Sequence, residues 1–118
     1  MTIPLALSFL LASAAFGDYH RTLKTPHYTI RITERCDEGV VGCDNVLYQA
    51  TSTSGKSITL HGKQIEHMCA GMPDTPCHPV GYEFHKGAVV FFVGEDGSLS
   101  VTQGRTILVD EKGTWIDE

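Results

Sequence analysis

The sequence predicts an all-β fold, a small antiparallel sandwich or barrel of about eight short strands braced by disulfides. Three observations predict it. Apolar and polar residues alternate with period two in several short runs. Turn signals rich in Gly, Ser, Asp and Lys separate those runs about every eight to twelve residues. Four cysteines, Cys36, Cys43, Cys69 and Cys77, occur in a chain that opens like an exported one.

Residues 1–17 carry no charged side chain. An apolar stretch over 5–11 is followed by small residues at Ala12, Ser13, Ala14, Ala15 and Gly17, the composition of a secretory signal and its cleavage region. The expected domains are a signal peptide over 1–17 and a single β domain over 18–118. No cysteine near the cleavage region is placed to take a lipid anchor. The expected product is periplasmic or secreted and free of the membrane after cleavage.

Residues 18–26 read as a polar lead-in. The segment 27–33 then places Tyr28, Ile30 and Ile32 on one face and Thr29, Arg31 and Thr33 on the other, which predicts a half-buried strand. A first cysteine loop follows. Residues 45–53 predict a second strand, with Val46, Tyr48 and Ala50 on one face. Residues 54–56 predict a turn, 57–61 a strand, 62–64 another turn and 65–70 a shorter strand. Three prolines make 71–79 a loop. Residues 80–84 predict a strand. The run 88–93 is the most apolar of the mature chain and should be central. Strands over 98–102 and 105–110 and a last short strand at 114–116 complete the set.

Disulfides are the ordinary use of an even cysteine count in an exported chain. Three pairings are open. Cys36–Cys43 and Cys69–Cys77 are favoured, because each closes a short loop. The nine basic and fourteen acidic residues all fall after residue 17, for a net charge of −5 with His neutral. That balance argues against nucleic acid and anionic membrane as partners and suits a basic protein.

Four constellations bear on chemistry. The stretch 50–57 nearly spells a P-loop, with Ala50 in place of the first Gly, but a strand rather than a helix follows it. Six histidines, His20, His27, His61, His67, His78 and His85, include two beside Cys69 and Cys77, yet their spacing matches no zinc motif, so no metal or other cofactor is expected. No nucleophile motif occurs, and the carboxylates cluster in turns beside Gly, so an enzyme is not expected. The fourth is the hydroxyl-rich hairpin tip around Ser54, Gly55, Lys56 and Ser57. An ordinary polar turn has this composition. So does a loop that offers an ammonium and hydroxyls to the two carboxylates of a glycoside hydrolase groove.

Export, a β domain of about a hundred residues, a cysteine-braced loop and the Ser54-Gly55 turn together resemble the small periplasmic lysozyme inhibitors of Gram-negative bacteria, the soluble i-type in particular. The resemblance implies a Ser-Gly loop that enters the lysozyme cleft, carried over here to Ser54 and Gly55, with Lys56 and Ser57 following. Ser57 and Ile58 stand where that family has an aromatic residue. The functional expectation is therefore an inhibitor of a lysozyme-like cell-wall hydrolase. The alternatives are an immunity protein against a periplasmic toxin and a non-catalytic structural or accessory protein of the envelope.

Overall fold

The computed structural model describes residues 18–36, 42–69 and 72–116, the side chains of 67–69 and 72–79 excepted. The expected signal peptide over 1–17 lies outside the described residues. The fold is all-β, with no helix among the described residues. Nine strands follow in order: β1 (Asp18–Lys24), β2 (Tyr28–Arg35), β3 (Val46–Ser52), β4 (Ser57–Cys69), β5 (Met72–Lys86), β6 (Val89–Gly94), β7 (Ser98–Gln103), β8 (Thr106–Lys112) and β9 (Thr114–Ile116). Every strand from β1 to β8 pairs antiparallel with its sequence neighbour. The chain runs on from β8 through Gly113 into β9, which pairs with β1, so the sheet curls into a nearly closed up-and-down barrel.

The interior follows from the alternation. Leu23, Ile30, Ile32, Val46, Tyr48, Leu60, Tyr82, Phe84, Val93, Leu99 and Val101 are buried in one cluster. The Tyr48 ring lies 5.0 Å from that of Phe84 and 5.7 Å from that of Phe91, so aromatic side chains fill the middle of the barrel. Each large apolar side chain buried this way contributes about 1.5–3 kcal/mol. Burial also pushes the Tyr48 hydroxyl above its ordinary pKa, with Tyr28 nearby adding to the shift.

Three local expectations are corrected. The lead-in over 18–26 is largely strand β1, in register with β2 from Asp18↔Arg35 to Lys24↔Thr29. The turn expected at 62–64 is the interior of β4. A Cβ on Gly62 would stand 2.1 Å from the Glu83 carbonyl oxygen and 2.4 Å from Phe84 Cδ2, so this glycine permits close approach of β5 rather than a reversal. The proline loop over 71–79 continues β5 from Met72. Its ladder with β4 shifts register at Ile65/Glu66, His67/Met68 and Met68/Cys69. Prolines contribute no N–H to a ladder, and such shifts accommodate them.

The Cys36–Cys43 disulfide is formed, with its Cα atoms 5.9 Å apart. Closing a loop of this size stabilises by about 2–3 kcal/mol on the chain-entropy account. Its far end, Gly42 and Cys43, is also seated on β4: Gln64 N–H donates to the Cys43 carbonyl at 2.7 Å, and Gly42 N–H donates to Gln64 Oε1 at 3.1 Å. The side chains of Cys69 and Cys77, the second expected pair, lie outside the described residues.

Candidate functional site

Antiparallel neighbours joined by hairpins place alternate connections at the same end of a barrel. The β1–β2, β3–β4, β5–β6 and β7–β8 turns share one end, called here the hairpin end. The cysteine loop, the β4–β5 connection and the β6–β7 turn share the other.

Ser54, Gly55, Lys56 and Ser57 come together at the tip of the β3–β4 hairpin, all exposed. Gly55 takes φ 91°, a left-handed conformation that suits Gly. Its N–H donates to the Ser52 carbonyl at 2.9 Å, and Ser52 N–H donates to the Lys56 carbonyl at 2.8 Å. The Ser52 hydroxyl lies 2.8 Å from that of Ser54 and accepts from Lys56 N–H at 3.2 Å. Thr51 and Ser57 hydroxyls meet at 3.3 Å across the ladder. The tip is therefore ordered by its own hydroxyls. Ser52 is the organiser that sequence reasoning passed over, and its hydroxyl at a strand end was the available signal.

The hairpin is tied to the rest of its end. Thr53 N–H donates to the His27 carbonyl at 3.0 Å. Glu111 of β8 accepts from His27 N–H at 3.1 Å and lies 2.6 Å from His27 Nδ1. This latch spans from β8 to the β1–β2 turn, which no ladder joins directly. Burial opposes the Glu111 charge, but hydrogen bonds from Thr25 and His27 and the His27 charge hold its carboxyl below the ordinary value. A carboxyl lowered on folding adds stability above its unfolded pKa and loses that contribution as pH falls through the folded value. Thermal stability should therefore decline as pH drops below about 4.5, and Glu111→Gln should flatten that decline. An unchanged slope in the Gln variant, read by differential scanning calorimetry, would remove the latch from the pH dependence.

The opposite end holds a polar network. Arg21 Nη1 donates to Glu95 Oε2 at 2.7 Å and to the Tyr82 hydroxyl at 2.9 Å. The Tyr82 hydroxyl donates to Glu34 Oε2. The Arg21 guanidinium stacks 3.9 Å from the centre of the Trp115 ring, whose Nε1–H donates to the Glu95 carbonyl at 3.0 Å. Burial works against the Arg21 charge, but the bonds to Glu95 and Tyr82 hold its pKa above the usual range. Burial, then the bond to Glu34, raises that of Tyr82. Both carboxylates are engaged, so the cluster reads as a plug for this end of the core rather than a general acid and base.

The other candidates stand apart from the hairpin tip. Asp44, His61, Lys63, Glu83 and His85 line a shallow depression on the barrel's outer wall, where His85 Nε2 approaches Glu83 Oε1 at 3.3 Å. His67 and His78 oppose each other in the β4–β5 register, with side chains outside the described residues. His20 Nδ1 pairs with the Thr33 hydroxyl at 3.0 Å. Among the described residues no group of three or more His, Cys, Asp or Glu is arranged to hold a metal. The near P-loop over 50–57 is a strand–hairpin–strand, a shape without the helix N-terminus that phosphate binding requires. No family model, no curated protein and no solved structure matches the chain.

Proposed function

We propose that this chain is an exported, non-catalytic binding protein that inhibits a lysozyme-like cell-wall hydrolase through its β3–β4 hairpin. The observation that carries the reading is the exposed tip Ser54–Ser57, ordered by Ser52 before any partner arrives. A loop already held in its bound shape loses less conformational entropy on docking. A hydrolase that cleaves sugar bonds carries two carboxylates flanking its groove. The Lys56 ammonium and the Ser54 hydroxyl would meet them through charge-assisted hydrogen bonds. The net charge of −5 steers the chain toward a basic partner.

The test is a turbidity assay of cell-wall lysis with purified mature protein titrated against lysozymes of the c, g and i types. Near-equimolar protein should stop one type. The Ser54→Ala/Lys56→Ala double variant should inhibit more weakly by about 1–3 kcal/mol while folding normally. A folded double variant that inhibits like the parent would remove this hairpin from the reading.

A further inference from the structure

We infer that the hairpin end is a cationic docking rim in which Lys86 and Arg105 join Lys56 to engage a carboxylate-lined cleft on a basic protein. The inference rests on the hydrolase reading and extends it to two turns which that reading does not use.

Charge is segregated along this barrel. The four turns at the hairpin end, taken with the strand residues that flank them, span 24–28, 52–57, 86–89 and 103–106. They contain Lys24, Lys56, Lys86 and Arg105 and neither Asp nor Glu. All four cations are exposed. Two nearby carboxylates are engaged, Glu111 by His27 and Glu83, three residues before Lys86, by His85, while Asp110 on β8 is exposed. The described connections of the opposite end carry Asp44, Glu95 and Asp96 instead. An acidic chain thus presents one basic end.

The turn tips reinforce the point. Gly55, Gly87 and Gly104 each have positive φ, of 91°, 59° and 60°, and a Cβ on any of them would meet nothing within 4 Å. Each adjoins a cation in sequence: Lys56, Lys86 and Arg105. At the opposite end, Gly97 also has positive φ, but its Cβ would stand 2.5 Å from the Gly113 carbonyl oxygen. Three projecting tips at one end therefore each hold a positive charge in open space.

Range selects the partner. A uniformly anionic surface would be repelled by the chain's acidic excess before the rim reached it. A basic protein with a local acidic cleft gains at both stages. The acidic excess draws the two together, and the rim meets the cleft at contact, inside the screening length of about 8–10 Å. Lys86 and Arg105 would lie on the cleft's borders while the Ser54–Ser57 tip enters it.

The experiment compares the parent with a Lys86→Glu/Arg105→Glu variant, neither site lying in the β3–β4 hairpin, and with the charge-preserving Lys86→Arg/Arg105→Lys. Against the lysozyme that the parent inhibits, charge reversal should weaken inhibition about tenfold or more, with the loss shrinking at high salt. The charge-preserving pair should stay within about threefold, and Tm should not move. Reversal that leaves inhibition intact, while Ser54→Ala/Lys56→Ala weakens it, overturns the rim and keeps the hairpin. If the parent inhibits no lysozyme, the hydrolase reading falls, and titration of a short oligoglutamate peptide at about 0.15 M salt, where the acidic excess is screened beyond about 8 Å, decides the rim by amide NMR. Shifts centred on the Lys56, Lys86 and Arg105 turns that vanish in the reversed variant support it. A parent whose three turns do not respond overturns it.

Discussion

Arg21→Ala should destabilise the barrel by about 3 kcal/mol, a large part of the 5–15 kcal/mol that holds a domain of this kind together. The guanidinium sits between Glu95, Tyr82 and the face of Trp115 with its side chain 19% exposed. Its removal leaves the Glu95 and Glu34 carboxylates beside the core without their cation. It also removes the stacking partner of Trp115, a contact worth about 0.5–2 kcal/mol. Urea unfolding reads the loss directly. Arg21→Lys should recover only part of it, because an ammonium lacks the planar face that stacks on the Trp115 ring. Adding Glu95→Gln to Arg21→Ala should restore stability, since it deletes the charge left unpaired. An alanine variant within about 0.5 kcal/mol of the parent, the scatter of an ordinary surface substitution, would show that the network does not plug the barrel.

Gly113→Ala should cost at least as much, for a steric reason. Gly113 is the corner at which the chain leaves the β7–β8 ladder and turns to pair with β1. Its N–H donates to the Gly97 carbonyl at 2.8 Å. A Cβ there would stand 2.2 Å from the Lys24 carbonyl oxygen and 2.8 Å from both Lys24 C and Thr25 Cγ2. Overpacking against side chains costs about 1–3 kcal/mol, and here the obstacle is backbone, which yields less. The expected result is a fall in Tm together with lost hydrogen-exchange protection in Thr22–Lys24 and Thr114–Ile116, the paired residues of β1 and β9. Gly55→Ala is the control. Nothing lies within 4 Å of its Cβ, so it should cost only the strain of a left-handed Ala, about 1 kcal/mol. Equal effects of the two substitutions would refute the corner argument.

Much of the barrel was legible because half-buried strands advertise themselves. Tyr28, Ile30 and Ile32, and then Val46, Tyr48 and Ala50, alternate as one inward face, and all six pack in or against the core. Strand β1 was hidden because Arg21 stands where an apolar residue would have completed the pattern with Leu23. Only its partners, Glu95 and Tyr82, 74 and 61 residues away in sequence, make that position intelligible. Gly62 misled because a glycine that admits a neighbouring backbone looks in sequence like one that turns. The prolines over 71–79 misled because their cost to a ladder is local, and shifts of register absorb it. At the hairpin end, the Ser54–Ser57 tip was visible as a polar cluster in one stretch of chain. The placing of Lys56, Lys86 and Arg105 at one end was not, since it depends on which turns share an end. The His27–Glu111 latch, across 84 residues, was equally out of reach.

The pairing of β9 with β1 also shapes how the chain must fold. Among the described residues, seven of the eight ladders join strands adjacent in sequence, so each forms by closing a short loop soon after its two halves meet. The eighth unites Thr22–Lys24 with Thr114–Ile116 and encloses nearly the whole described chain. The entropy of that one closure is lost before its contacts repay it. Until then β1 carries Leu23 and Arg21 without the wall that Trp115 supplies. Before that closure the chain is a row of hairpins with an open side, and it becomes a barrel only when β9 docks on β1.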